Sequence, residues 1–551
     1  MKNAKYHLVI SDAIRNEVAG WDAERLIRQV CCPEFRDSGA EAYRDVGAMF
    51  FHSSTPDAIR SRMAEVSGMC RIPPLFTSDL ECGAGNLIAG ATRFTSMMGL
   101  CRTEDEALAK AVGRCAAQEA GQIGFHWTLA PVADLALEKD SPVVSHRSGG
   151  REPDAVIRMV GAYLQGVQEE GMIATLKHFP GDGTDTFDQH LTTSAMKLDL
   201  ETWRATQGKV FRELIDQGAM AVMPGHISFP AYDEPDPRNG LFPPATLSRR
   251  ILVDLLRDEL GFEGLIVTDA INMGGVVGFM NYFDACASAL VAGCDCLLFP
   301  RVGRRFYDEM LLRVDNGMLP LSILQDRAAR MLAVKHNVGL YAPESVRMAA
   351  VPACAQDMPD CWIRPESAAL ADLVSAKGLT LVRDRQGLVP FDIRPDTRIL
   401  YVVLQSEPSD IPSRMEAAIR KFTDRLVMLS DPGPDLLFEE VLSERYDLVL
   451  CSVLCNPSYG VNVMRLHGPL ARNMMGGWMK LGTPTIFLAH GHPFLHEEYP
   501  AAIDTLVNTY GDLPATAGQL LDALTGRAEL KHQDRQDSLR VRISTAGRLP
   551  D

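Results

Sequence analysis

The chain has no uninterrupted apolar stretch of about 18 residues or more, so its pattern excludes a membrane-spanning helix. A basic surplus is missing too. Against 71 Asp and Glu stand 55 Lys and Arg, for a formal net charge of −16. That balance leaves no excess positive charge for a nucleic-acid backbone. The first residues, Met1 to Asp12, lack the long apolar segment and small-residue cleavage site of an export signal. No Cys-x-x-Cys pair occurs, so structural zinc spacing is absent, and neither a metal nor another cofactor is expected. The 13 cysteines are odd in number, and several sit inside apolar segments, as Cys31, Cys32, Cys294, Cys296, Cys451 and Cys455 do. This usage fits buried thiols in a reducing cytoplasm. Internal repeats and low-complexity tracts are also absent. What is present is an ordinary globular composition, 46% hydrophobic and 23% charged. At 551 residues the chain exceeds what one core organises, so two domains or more are expected.

One stretch concentrates ionisable groups beyond any packing need: Lys177-His178-Phe179-Pro180-Gly181-Asp182-Gly183-Thr184-Asp185-Thr186-Phe187-Asp188-Gln189-His190. The apolar run Met172 to Leu176 leads into it as a buried parallel strand, and its proline and glycines force a loop. Met172–Phe179 is the fifth of eight such strand candidates. The others are Gln29–Pro33, Val46–Phe51, Leu75–Asp79, His126–Pro131, Met220–His226, Leu265–Asp269 and Cys294–Phe299. Helix-like segments lie between them, for example Asp105–Gln118, Glu152–Glu170 and Ser248–Leu260. In the last, Ser248 reads as N-cap, Ile251, Leu252, Leu255 and Leu256 form one apolar face, and Gly261 is the stop. Eight strands with crossover helices predict a TIM-like (β/α)8 barrel over residues 1–340. A doubly wound open sheet shares this periodicity and is the alternative.

In such a barrel, functional side chains stand at the C-terminal strand ends. Those ends carry Asp79 with Glu81, Asp134, the 177–190 loop, His226 and Asp269. A single strand-end Asp is commonly a helix cap, and a single His a satisfied core residue. Several on one face mark a site. Residues 341–362, rich in proline and polar groups, read as a linker. Beyond it, Leu379–Val382, Ile399–Leu404, Leu426–Leu429, Leu448–Leu454, Thr485–Ala489 and Ile503–Val507 read as parallel strands of a second α/β domain, residues 363–551. This domain has no phosphate-binding glycine motif, so its role reads as structural or interfacial. His490-Gly491-His492 reads as a turn with two exposed histidines, and Arg527 to Asp551 as a charged, partly mobile tail.

Lys177-His178-Phe179-Pro180-Gly181 followed by Asp188-x-His190 resembles the signature of glycoside hydrolase family 3, in its β-N-acetylglucosaminidase branch. Gly261-Phe262-Glu263-Gly264-Leu265-Ile266-Val267-Thr268-Asp269-Ala270 is similar to the family's nucleophile strand, and Pro244-Ala245-Thr246-Leu247-Ser248 fits just before it. Ala130-Pro131-Val132-Ala133-Asp134, Arg147-Ser148-x-Gly150 and Asp79-x-Glu81-x-Gly83 match in the family's order. The second domain resembles the α/β sandwich that many members append. The resemblance implies a retaining exo-β-N-acetylglucosaminidase acting on a small carbohydrate, a terminal N-acetylglucosamine of cell-wall or chitin-type fragments. It places the nucleophile at Asp269 and the acid/base at His190, paired with Asp188. Asp79, Arg147, Lys177 and His178 are carried over as substrate-binding residues.

Two departures from the family pattern stand out. Where the loop usually reads Pro-Gly-His-Gly-Asp-Thr, this chain has Pro180-Gly181-Asp182-Gly183-Thr184-Asp185. Cys82 replaces a glycine, and Leu87 stands where an arginine is usual; either Arg93 substitutes from a different position or that contact is missing. Other readings stay open: a phosphorylase using the same residues, a β-glucosidase or β-xylosidase of the family, a zinc site of His178, Asp188 and His190, and a non-catalytic sugar binder. The spacing of Asp182, Asp185 and Asp188 does not fit a calcium loop.

Overall fold

The computed structural model describes residues 5–36, 40–342, 363–405, 408–456, 460 and 465–532. All eight expected barrel strands form: β1 (Cys31–Cys32), β2 (Ala48–Phe50), β3 (Leu75–Ser78), β4 (Trp127–Thr128), β5 (Ile173–Phe179), β6 (Ala221–Pro224), β7 (Leu265–Ala270) and β8 (Cys296–Leu298). They run parallel in the order β1-β8-β7-β6-β5-β4-β3-β2. Glu34 bridges Phe50, and the Phe35 N–H donates to the Phe50 carbonyl at 2.9 Å, which draws the ring almost shut. That closure decides for the barrel over the open sheet. Strands between a packed interior and an outer helical layer are buried on both faces. This is why β5 is buried along its whole length and opens on the apolar run that ends at Leu176, before Lys177 and His178.

The helix after β6 starts as its sequence indicates, with the Ser248 Oγ accepting the Ile251 N–H at 3.1 Å. It buries Ile251, Leu252, Leu255 and Leu256. It differs in winding: Arg250–Glu259 is a π-helix rather than an α-helix. Residues four and five apart still share a face there, so the apolar pattern does not separate the two windings.

The second sheet has the order β11-β10-β12-β13-β14-β9-β15, from β9 (Thr380–Asp384), β10 (Ile399–Gln405), β11 (Leu426–Ser430), β12 (Leu448–Leu454), β13 (Thr485–Ala489), β14 (Thr505–Asn508) and β15 (Lys531–His532). It is mixed rather than parallel, because β9 runs antiparallel to β14. An apolar run carries no record of its direction. The start of the charged tail is drawn into the sheet as β15, which pairs parallel with β9. Residues 533–551, and 343–362 of the linker, lie outside the described residues.

The two sheets are tied across a polar seam. Arg151 forks onto Glu497 at 2.5 and 3.0 Å, Arg465 pairs with Asp140, and the Thr95 hydroxyl donates to the Tyr510 carbonyl at 3.0 Å. A small apolar cluster of Met98, Ala136, Val144, Phe494 and Tyr510 fills the gap. The histidines of His490-Gly491-His492 are not exposed: they are 2% and 1% accessible. They follow β13 into this packed region, where His490 bonds Ser452 and Thr509 through its two ring nitrogens at 3.0 and 3.2 Å.

Candidate active site

The loop after β5 is organised by Asp134, which is fully buried. Its Oδ1 accepts the N–H groups of His178 (3.0 Å) and Asp182 (2.7 Å), and its Oδ2 pairs with the His178 Nδ1 at 2.7 Å. Burial opposes a charged His178, but Asp134 outweighs it and raises the imidazole above its ordinary range. The glycines of the loop are required by space. Gly183 has φ +89, and a Cβ there would come within 2.3 Å of the Leu135 carbonyl oxygen.

Asp188 and His190 meet where the segment turns: Asp188 Oδ1 accepts from both the His190 backbone N–H at 2.8 Å and its ring Nδ1 at 2.7 Å. The other oxygen, Oδ2, accepts the N–H of Gly460 at 2.7 Å, from the second domain. Burial pushes the Asp188 carboxyl up, but the His190 and Gly460 hydrogen bonds prevail and hold it below the usual carboxylate range. An anionic Asp188 fixes the proton of His190 on Nδ1 and leaves proton exchange with a substrate to Nε2.

Asp269 is the penultimate residue of β7, and its Oδ1 accepts the Ala270 N–H at 2.7 Å. Desolvation works against its charge, yet the neighbouring imidazoles, His178 foremost, hold it below the usual range. It is therefore a carboxylate at neutral pH. His226 braces this strand end rather than joining the site. Its Nε2 lies 3.0 Å from the Ala270 carbonyl, its Nδ1 2.9 Å from the Thr246 hydroxyl, and it is fully buried. Because a carbonyl only accepts, Nε2 carries the proton and Nδ1 accepts from Thr246.

Three of the four substrate-binding candidates, Asp79, Arg147 and Lys177, gather around a residue outside that set, Glu81. Glu81 receives Arg147 bidentately at 2.9 and 2.7 Å and Lys177 at 2.6 Å. Lys177 also donates to Asp79 at 2.7 Å. Burial raises the Glu81 carboxyl, but Arg147 and Lys177 overcome it and hold the group well below its ordinary value. The Asp79-x-Glu81 alternation was the available signal for Glu81, since residues two apart project together. The zinc reading needed His178 to join Asp188 and His190, but His178 is committed to Asp134. Among the described residues no three or more His, Cys, Asp or Glu side chains are arranged to hold a metal ion.

Asp79, Glu81, Arg147, Lys177, His178, His190 and Asp269 line one cavity of about 500 Å³. Asp188 stands behind His190, fully buried. Of the departures, only Leu87 reaches the cavity wall. Arg93 does not substitute there: it pairs with Asp512 of the second domain at 2.9 Å. Asp182 is buried beneath the loop, accepting from the Gly183 N–H at 2.8 Å and the Gln189 side chain at 3.2 Å. Burial, with Asp134 nearby, pushes its carboxyl up to about 7.

Residues 50–334 match the model of the glycosyl hydrolase family 3 N-terminal domain. The chain belongs to glycosyl hydrolase family 3. Within the family it is 30% identical over 502 residues to a β-N-acetylglucosaminidase/β-glucosidase of Cellulomonas fimi, covering 88% of this chain and 87% of the relative. A solved β-glucoside phosphorylase superposes with a TM-score of 0.86 at 25% identity, covering 97% of this chain and 99% of that one. A family 3 β-N-acetylglucosaminidase from Paenibacillus sp. str. FPU-7 shares the fold, with a TM-score of 0.76 at 23% identity over 93% of this chain and 98% of its own. Among the described residues no helix is long and apolar enough to cross a membrane.

Proposed function

We propose that this family 3 member is a cytoplasmic, retaining exo-β-N-acetylglucosaminidase that removes terminal β-linked N-acetylglucosamine from cell-wall or chitin-type fragments. Residues 1–340 would form the catalytic barrel, 341–362 the connection and 363–551 the sandwich domain. The observation that carries the reading is one cavity holding an ionised Asp269 and a His190 oriented by Asp188. Asp269 attacks the anomeric carbon as His190 gives its Nε2 proton to the departing oxygen, leaving a glycosyl-Asp269 ester and a free aglycone. His190, now unprotonated at Nε2, takes a proton from water, whose oxygen displaces Asp269 and regenerates the carboxylate. Asp79, Arg147, Lys177 and His178 bind the sugar through charge-assisted hydrogen bonds to its hydroxyls. The acetamido preference is supported by the names of the relatives.

A second reading has phosphate, rather than water, accept the glycosyl group. It is favoured by the imidazole acid/base, which does not repel an anionic acceptor as a carboxylate would, and by the likeness to a β-glucoside phosphorylase. Release of nitrophenol from aryl β-N-acetylglucosaminide and aryl β-glucoside, each with and without phosphate, tests both. Turnover confined to the acetamido sugar and indifferent to phosphate supports the hydrolase. Strong phosphate stimulation transfers the assignment to the phosphorylase, and no turnover of either sugar contradicts both.

A further inference from the structure

A second hollow of about 460 Å³ opens beside the catalytic cavity, and Asn272 lines both. Asn272 lies three residues past Asp269, so this hollow flanks the nucleophile's strand end. Its aromatic floor comes from Tyr282 and Phe283, with ring centroids 5.1 Å apart, and from Phe306, 6.5 Å from Phe283. The Tyr282 hydroxyl accepts the Arg301 N–H at 2.7 Å, which fixes the turn presenting Arg301. The Arg305 guanidinium lies 5.9 Å from the Phe283 ring centre.

The charge of this hollow is out of keeping with the chain. Both arginines are exposed, and neither is neutralised by a carboxylate among the described residues. Acidic residues on the adjoining helices are already engaged: Asp308 with Arg304, and Asp284 and Glu309 with Arg313. In a protein of net charge −16, two uncompensated cations over an aromatic floor beside the catalytic cavity call for an anionic ligand. Aromatic faces carry the apolar side of a sugar ring, and guanidinium groups match carboxylates bidentately.

We infer that this hollow is a leaving-group subsite for a carboxylate-bearing sugar, held on Tyr282, Phe283 and Phe306 with its carboxylate at Arg301 and Arg305. The inference rests on the glycosidase reading, because it takes the bond to be cleaved to lie between the two hollows. The test compares N-acetylglucosamine β-linked to glucuronic acid with the methyl ester of the same disaccharide. The wild-type protein is expected to favour the acid at least tenfold in kcat/KM at low salt, with the preference shrinking as salt rises. R301Q/R305Q is expected to abolish the preference, with R301Q alone intermediate. Equal turnover of acid and ester by wild type, or an unchanged preference in R301Q/R305Q, overturns the subsite. If wild type turns over neither these disaccharides nor aryl glycosides, the glycosidase reading fails by itself. The subsite is then judged by calorimetry: tighter wild-type binding of the acid, lost in R301Q/R305Q, supports it, and equal binding overturns it.

Discussion

Replacing Asp188 by Asn probes how the dyad works while changing few atoms. Asp188 accepts three hydrogen bonds, two from His190 and one from Gly460, at 2.7 to 2.8 Å. An asparagine offers a single acceptor oxygen. If that oxygen faces His190, the amide NH2 confronts the Gly460 N–H, donor against donor. If it faces Gly460, the NH2 donates to Nδ1, and the His190 proton moves to Nε2. In both arrangements the anion that stabilises a protonated imidazole is gone. General acid/base catalysis contributes roughly 10² to 10⁴ in rate, equivalent to about 2.7 to 5.5 kcal/mol at about 1.36 kcal/mol per decade. Losses of that size are expected for aglycones that need protonation to leave. Dinitrophenyl glycosides need little, so their glycosylation step should fall by about tenfold or less. The assay is kcat/KM for D188N and wild type across aryl β-N-acetylglucosaminides of graded phenol acidity. A steeper dependence on leaving-group acidity in D188N is the expected result, and H190A should behave alike. A uniform drop across the series would refute the proton-transfer role and reduce the pair to a structural contact.

Glu81→Gln should cost about 2–4 kcal/mol of stability in urea titrations and weaken sugar binding, because it leaves Lys177 and Arg147 under-neutralised. Since Glu81 is held below its ordinary value, its contribution is complete above the unfolded Glu range and fades as the pH falls through the depressed value. Asp182 has the opposite sign: with its carboxyl at about 7, the folded state holds the extra proton, so stability declines as the pH rises from about 4 to 7. D182N should flatten that slope in thermal melts, even if the lost Gln189 contact lowers stability throughout; an unchanged slope would place the proton elsewhere. Gly183→Ala should cost about 1–3 kcal/mol and depress kcat through the loop. Gly90→Ala, at φ +85 with nothing within 4 Å, should cost less than Gly183→Ala and leave kcat intact.

The barrel was legible because its strands are buried on both faces, which writes them as apolar runs, and several run into ionisable residues, as at Asp79, Lys177 and Asp269. The loop of Lys177 to His190 stood out for a related reason: six of its side chains can carry charge, and three of them, Lys177, His178 and His190, line the cavity, while Asp182 and Asp185 brace the loop. What escaped the sequence depends on long-range approach. Glu81 sits in the same motif as Asp79, but that it rather than Asp79 joins Arg147 depends on how β3 and the 145–147 turn face each other. Gly460 reaches Asp188 across 272 positions, with no local pattern to announce it. His490 and His492 flank a glycine and so read as an exposed turn, yet both are buried, His490 between Ser452 and Thr509 and His492 against Phe494. Arg93 was matched by type to a missing sugar contact, whereas Asp512 of the second domain claims it.

The most direct test of the central claim is to find where the sugar is covalently held. Incubation with a 5-fluoro N-acetylglucosaminyl fluoride, followed by intact-mass and peptide mass spectrometry, should show one glycosyl adduct on the peptide carrying Asp269. D269N should show none while still binding the sugar. An adduct on another carboxylate such as Asp79 or Glu81, or turnover of the probe with no adduct and with inversion of the anomeric centre, would contradict the account.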